Sequence, residues 1–370
     1  MRFLSLILFA TLSFVSNAVP QASNAPSQAV DVTISPRQPY VERGKSEQSL
    51  SFDFLINNMT ETTLLVNKIQ LSVFDANDKL VLRKFASSGI TPKLKDVTEI
   101  EGKKTLLLLN PFYSFDSAVG LKKLKYEFFF SDSKSEERQY KSEVIVIPVY
   151  YQAKTDLILP VKGRALIYSG HDYYAHHRRV DTTNPIVVKL GVKSNPTRYS
   201  YDFCTVNENG DLYRGQGKNN EDWYGWGAPL YAPGGGVIRE MTNDVADNIL
   251  GKKMFDFRLV FQNIKAFYGN YVVIDDLNGE YSLIAHMKQG SVKVRLGEKI
   301  KQGQLVGQIG ISGDADYVHT HYQLQNGFDL NAEALPSYFR DFRWMLASTS
   351  RKVERGQMNS GDIVESYAIR

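Results

Sequence analysis

Val318-His319-Thr320-His321-Tyr322-Gln323-Leu324 alternates apolar and polar residues, the period of a half-buried strand. Two histidines separated by one residue on a strand share a face and lie roughly 6–7 Å apart. At that spacing one can hold a metal while the other faces a water bound to it. The plainer reading is a pair of satisfied core or surface histidines. The remaining histidines of the chain bear on the choice: all six, His171, His176, His177, His286, His319 and His321, fall after residue 170.

Upstream of that stretch the chain is built from short strands separated by tight turns. Pro229-Leu230-Tyr231-Ala232-Pro233-Gly234-Gly235-Gly236-Val237-Ile238 reads as strand, glycine turn, strand. Tyr268 to Asp275 is another strand, the Asn278-Gly279 turn follows, and Tyr281 to His286 returns, which places His286 at a strand end. Val292, Val294, Ile300, Leu305, Val306 and Ile309 are then punctuated by Gly297, Gly303, Gly307, Gly310 and Gly313. A helix is expected near Ala334 to Ala347, and 348–370 is a polar tail. Toward the N-terminus, Leu50, Phe52, Phe54 and Ile56 alternate with polar residues, as do Ile69, Leu71 and Val73, and Tyr126, Phe128 and Phe130. The expected fold is therefore all-β and mostly antiparallel. An immunoglobulin-like β-sandwich occupies 49–152, after an extended lead-in at 19–48, and a compact antiparallel β-sheet domain follows at 157–347.

With 370 residues, 43% hydrophobic and 23% charged, the chain has the composition of a soluble globular protein. A net charge of +4 without a basic, aromatic-interleaved run sets nucleic acid aside as a partner. Arg2, the short apolar run Phe3 to Val15 and Ser16-Asn17-Ala18 read as a signal peptide over 1–18. No stable membrane span is expected after its removal. Cys204 is the single cysteine, so no intramolecular disulfide forms, and a metal would need His and carboxylate ligands. A catalytic zinc takes about three protein ligands plus a water, whose pKa it lowers toward about 7.

Taken together, Tyr224-Gly225-Trp226-Gly227-Ala228-Pro229-Leu230-Tyr231-Ala232, Gly236-Val237, Gly269-Asn270-Tyr271-Val272-Val273-Ile274, Ala285-His286, Gly290-Ser291-Val292, Ser312-Gly313 and His319-Thr320-His321 resemble the lysostaphin/LytM-type zinc endopeptidases. Those enzymes cut peptidoglycan cross-links. The resemblance runs from about Leu157 to Arg343, half the chain, and excludes the N-terminal sandwich. It implies a narrow groove on one sheet face and one Zn2+ per chain. It makes His321 a zinc ligand, His319 the base acting on water and His286 the oxyanion partner. The other two ligands should be a histidine and an aspartate upstream. His177-Arg178-Arg179-Val180-Asp181 satisfies the family's His-x-x-x-Asp literally, yet Arg198-Tyr199-Ser200-Tyr201-Asp202 fits its position better. His177 and Asp202 are the expected ligands, with Asp181 and His176 as rivals; His171 is assigned to the groove or its surroundings. Thr320 stands where the family has an apolar residue and should face away from the metal.

The resemblance implies a metalloendopeptidase exported to the periplasm or surface of a bacterium, with peptidoglycan as its partner. A cell-envelope protein is a further candidate partner for the sandwich. The alternative is a catalytically inactive LytM-like module that binds the wall and activates another hydrolase. A barrel-sandwich carrier domain ranks last, because it needs no histidine cluster.

Overall fold

A computed structural model describes residues 29–44, 46–87 and 99–367; the signal peptide expected at 1–18 lies outside them. Alternating sequences became strands where expected. Val30–Ser35, Asp53–Asn58 and Thr105–Leu109 form one antiparallel sheet. A second sheet runs Ser135–Val146, Lys123–Asp132, Leu64–Phe74, Leu80–Ser87, with Glu99–Ile100 paired to Leu64–Phe74. Their inward residues share one core, in which Phe54 meets Tyr126 and Phe128 edge-on, both at 4.9 Å between centroids. The lead-in expected at 19–48 is corrected from Val30 onward. Val30 and Val32 alternate with Asp31 and Thr33, and this strand completes the first sheet. Pro36 and Pro39 obscure that pattern by interrupting the run. Tyr40–Arg43 and Glu47–Leu50 add a third small sheet with Val149–Tyr150 and Ser114–Asp116.

The second half forms a 12-stranded sheet. Its centre runs Gly163–Ser169, Tyr201–Thr205, Thr320–Gln325, Tyr281–Met287, Asn270–Asp275, Gly236–Thr242. Tyr201, Phe203, Tyr322, Leu324, Ile284 and Ile274 point to one face and pack in the main core. Strand alternation sends Asp202, His321, Gln323, Leu283 and Val273 to the other face. All six residues of Thr320–Gln325 are buried, so each face of this strand is covered.

The helix expected near Ala334 to Ala347 is corrected to strands Ala334–Leu335 and Phe339–Leu346. Phe339 and Phe342 are both fully buried, at a spacing that suits a helix. Here Asp341 adopts φ 58°, which resets the strand phase so that both rings reach the core. The polar tail likewise contributes Thr349–Gly356 and Ile363–Ser366, the latter inserted between Phe339–Leu346 and Gly163–Ser169. No helix among the described residues is long and apolar enough to cross a membrane.

Candidate metal centre

Sheet register brings the central pair together. Asp202 lies directly across from His321, and His321 directly across from Ala285 on its other side. His321 Nδ1 is 3.1 Å from Asp202 Oδ1. Its Nε2 donates to Gln323 Oε1 at 2.9 Å, while the Gln323 amide donates to Tyr268 Oη at 3.1 Å. That chain leaves Nδ1 without a proton, a lone pair facing a carboxylate, which is the arrangement a cation between them would relieve.

His319 precedes the strand. Its Nδ1–H donates to the Tyr317 carbonyl at 2.9 Å, and its Nε2 lies 3.6 Å from Asp202 Oδ1. His286 should fall on the core side, because Ala285 before it faces the groove. A φ of 59° at His286 breaks the alternation and turns the ring to the groove face. There Nδ1–H donates to the Ser312 carbonyl at 2.8 Å, with 4.8 Å between the centroids of His286 and His319. Ser312 is held by Asn270 N–H donating to its Oγ and by its own hydroxyl donating to Met287 O. That placement needs backbone-to-backbone contact between Gly269 and Gly313. A Cβ on Gly269 would sit 2.4 Å from Ser312 C, and one on Gly313 2.4 Å from Gly269 N.

The upstream candidate ligands arrive on a 3-10 turn, His176–Arg179. Asn195 and Thr197 donate to the His177 carbonyl at 2.8 and 3.3 Å. This points His177 Nε2 at Asp202 Oδ1, 3.4 Å away, and leaves its buried Nδ1 without a partner. His176 Nε2 is 3.6 Å from Asp202 Oδ2 but 63% exposed. Among the described residues, His176, His177 and Asp202 offer ligand atoms within 4.8 Å of one another. Four imidazoles from two distant parts of the chain thus surround one buried carboxylate. A donor set of imidazoles and a carboxylate suits zinc.

The rivals separate. Asp181 is exposed and accepts from the N–H and hydroxyl of Thr183 at 2.8 and 2.6 Å, a local turn that keeps it out of the cluster. The expected groove position of His171 is corrected as well: its Nδ1 pairs with the buried Glu42 at 2.8 Å. Thr320 faces away as expected, its hydroxyl donating to Ala285 O. Tyr317 escaped the sequence reading. Its hydroxyl donates to Asp202 Oδ2 at 3.1 Å and fixes that carboxylate. The signal was present in Tyr317-x-His319, where a tyrosine lies two residues before a histidine and therefore on its face. The cluster lines a groove of 680 Å³ flanked by Val180, Ile186 and Leu190 and by Phe257, Phe267 and Phe328. Lys189 Nζ, 5.1 Å from the centre of the Phe261 ring, links the segments that carry these side chains.

Burial pushes His177 and His286 well below, and His319 below, the ordinary imidazole pKa of about 6.5. For His177 and His319 it does so against the raising effect of Asp202; for His286 the neighbouring imidazoles His319 and His321 add to it. All three are neutral near pH 7, the form that binds metal or accepts a proton. The sign follows. Below about pH 6.5 the unfolded chain takes up protons that the folded chain refuses, so stability falls with pH, by up to about 1.4 kcal/mol per unit for each histidine, until the folded values are reached. The melting midpoint of metal-free protein should therefore drop steadily from pH 6.5 to 5. A flat profile over that window contradicts the assignment of buried neutral imidazoles.

Residues 224–332 match Peptidase family M23, a domain that contains His286, His319 and His321 and stops short of His177 and Asp202. Over 106 residues the chain is 30% identical to the peptidoglycan DD-endopeptidase ShyC of Vibrio cholerae, covering 28% of this chain and 19% of that protein. The chain thus spans about a fifth of the length of that curated relative. Among solved structures, the lysostaphin catalytic domain of Staphylococcus simulans aligns at 17% identity and TM-score 0.25, covering 47% of this chain and 88% of that one. A zinc-containing peptidase from Vibrio cholerae aligns at 12% identity and TM-score 0.28, covering 82% of this chain and 83% of that one. The family match upholds the lysostaphin/LytM-type resemblance over residues 224–332.

Proposed function

We propose that the chain is an exported zinc metalloendopeptidase that hydrolyses peptide bonds in peptidoglycan stem or cross-link peptides. One observation carries the reading: His177, His319 and His321 converge within 3.1–3.6 Å of the single buried carboxylate of Asp202, in a groove. His177, Asp202 and His321 would hold one Zn2+, with His176 the rival of His177. The match to an M23 domain supports peptidase chemistry, and the likeness to a peptidoglycan DD-endopeptidase supports the substrate class and an envelope location, the periplasm or the cell surface.

A zinc held by His177, Asp202 and His321 would supply Lewis acidity, enough to polarise a carbonyl and to bring the pKa of a water toward about 7. His319 offers a bare Nε2, since its Nδ1–H is committed to Tyr317 O, and it is the group that takes the proton of the water. His286 has the same tautomer, with Nδ1–H committed to Ser312 O. In its neutral state its Nε2 accepts and cannot donate. The oxyanion role that the resemblance implies for His286 therefore requires a second proton on that ring. Tyr317 keeps the Asp202 carboxylate oriented.

The experiment is digestion of purified sacculi by the zinc-loaded chain, with products identified by mass spectrometry. New amine and carboxyl ends within cross-linked peptides are the expected outcome. Release of intact stem peptides from the glycan indicates an amidase instead. Zinc binding with no product at all favours the inactive, activator-type module.

A further inference from the structure

The ligands divide into two groups with different supports. His286, His319 and His321 stand on strands of the M23 domain or on loops pinned to them, whereas His177 and Asp202 lie outside the matched residues. The segments that carry the second group are gripped by the N-terminal sheets. Arg178, next to His177, donates to Asp53 Oδ1 at 2.9 Å, to Ser51 Oγ at 3.1 Å and to the Phe52 carbonyl at 3.1 Å. Arg198, four residues before Asp202, donates to Asp53 Oδ2 at 2.6 Å and to the Ser35 carbonyl at 3.3 Å. Asp53, Arg178 and Arg198 are at most 1% exposed. Tyr199 Oη reaches Ser51 O at 3.4 Å. The same segment is fastened further upstream, where Tyr173 stacks on Tyr113 at 4.1 Å and His171 pairs with Glu42.

Resting on the zinc reading above, we infer that the N-terminal sheets are a structural part of the metal centre, with Asp53 as the positioning residue that sets His177 and Asp202 against His321. Burying two guanidiniums and one carboxylate is costly, and apolar side chains of similar volume commonly serve stability as well. What apolar side chains cannot supply is direction. Each Asp53 oxygen takes one arginine, so a single side chain fixes the spacing of two segments that are otherwise hydrogen-bonded through Asn195, Thr197 and the His177 carbonyl. Arg178 transmits that position to His177 through one peptide bond. Arg198 transmits it to Asp202 through the turn closed by Ser200 N–H donating to Thr197 O. The outer shell of this site is thus contributed by a separate set of sheets, and loss of such outer partners typically weakens metal binding 10–100-fold.

Three full-chain variants test this, each titrated with zinc against a chromophoric chelator well below its own melting temperature. Each is also loaded with cobalt(II), whose visible absorption reports coordination geometry. Asp53→Asn should weaken zinc by about 10–100-fold and alter the cobalt spectrum. Ser51→Ala, which removes one Arg178 partner and keeps both ion pairs, should shift affinity in the same direction by less. Phe128→Leu destabilises the N-terminal core without removing any hydrogen-bond partner of Asp53, Arg178 or Arg198 and should leave affinity and spectrum as in the wild type. If Asp53→Asn does not fold, Ser51→Ala decides. A folded Asp53→Asn or Ser51→Ala with wild-type affinity and spectrum overturns the inference, as does equal weakening by Phe128→Leu. A wild-type chain that binds no zinc defeats the proposed function itself, a separate outcome.

Discussion

Full-length protein carrying His321→Ala should lose zinc and, with it, all cleavage. The ring sits at the centre of a buried strand, between Asp202 and Ala285, and its Nδ1 is the imidazole nitrogen lying nearest to Asp202. Removing a ligand must cost more than removing the partners behind it, so affinity should fall by more than about 100-fold. The strand itself should survive, because Tyr322 and Leu324 anchor it from the opposite face. Metal content after dialysis, measured beside activity on sacculi, checks this. Retention of one zinc per chain would remove His321 from the ligand set.

His319→Ala should behave differently although the two residues are neighbours. Zinc should stay at one per chain, while kcat falls by about 10²–10⁴, the usual worth of a positioned base. KM should change little, since the apolar groove walls are untouched. The contrast between the two variants separates ligand from base. A His319→Ala protein that cleaves at near wild-type rate refutes its role, and one that loses zinc makes it a ligand.

Much of this was legible in the residues. Period-two alternation at Val318–Leu324 placed a histidine on the groove face, and the confinement of histidine to the second half pointed to one site. Asp202 rather than Asp181 enters the cluster because Asp181 begins Asp181-Thr182-Thr183-Asn184-Pro185, turn chemistry that satisfies its carboxylate locally. Other features depend on contacts between distant segments. His171 near His176 and His177 looked like part of their group, but Glu42, 129 positions earlier, claims it. The phase reset at Asp341 is a backbone property that no side chain announces, so Phe339 and Phe342 mimicked a helix. The φ of 59° at His286 is equally silent, and without it that ring would point into the core.

Anomalous scattering measured at the zinc edge from crystals of the zinc-loaded full chain is the most direct measurement. One strong peak is expected per chain, about 2.0–2.2 Å from a nitrogen of His177, an oxygen of Asp202 and Nδ1 of His321. His319 and His286 should lie beyond bonding distance and face the open position. A peak ligated by His176 in place of His177 would reassign one ligand. No peak in this groove, or a peak held by Asp181, would contradict the site altogether.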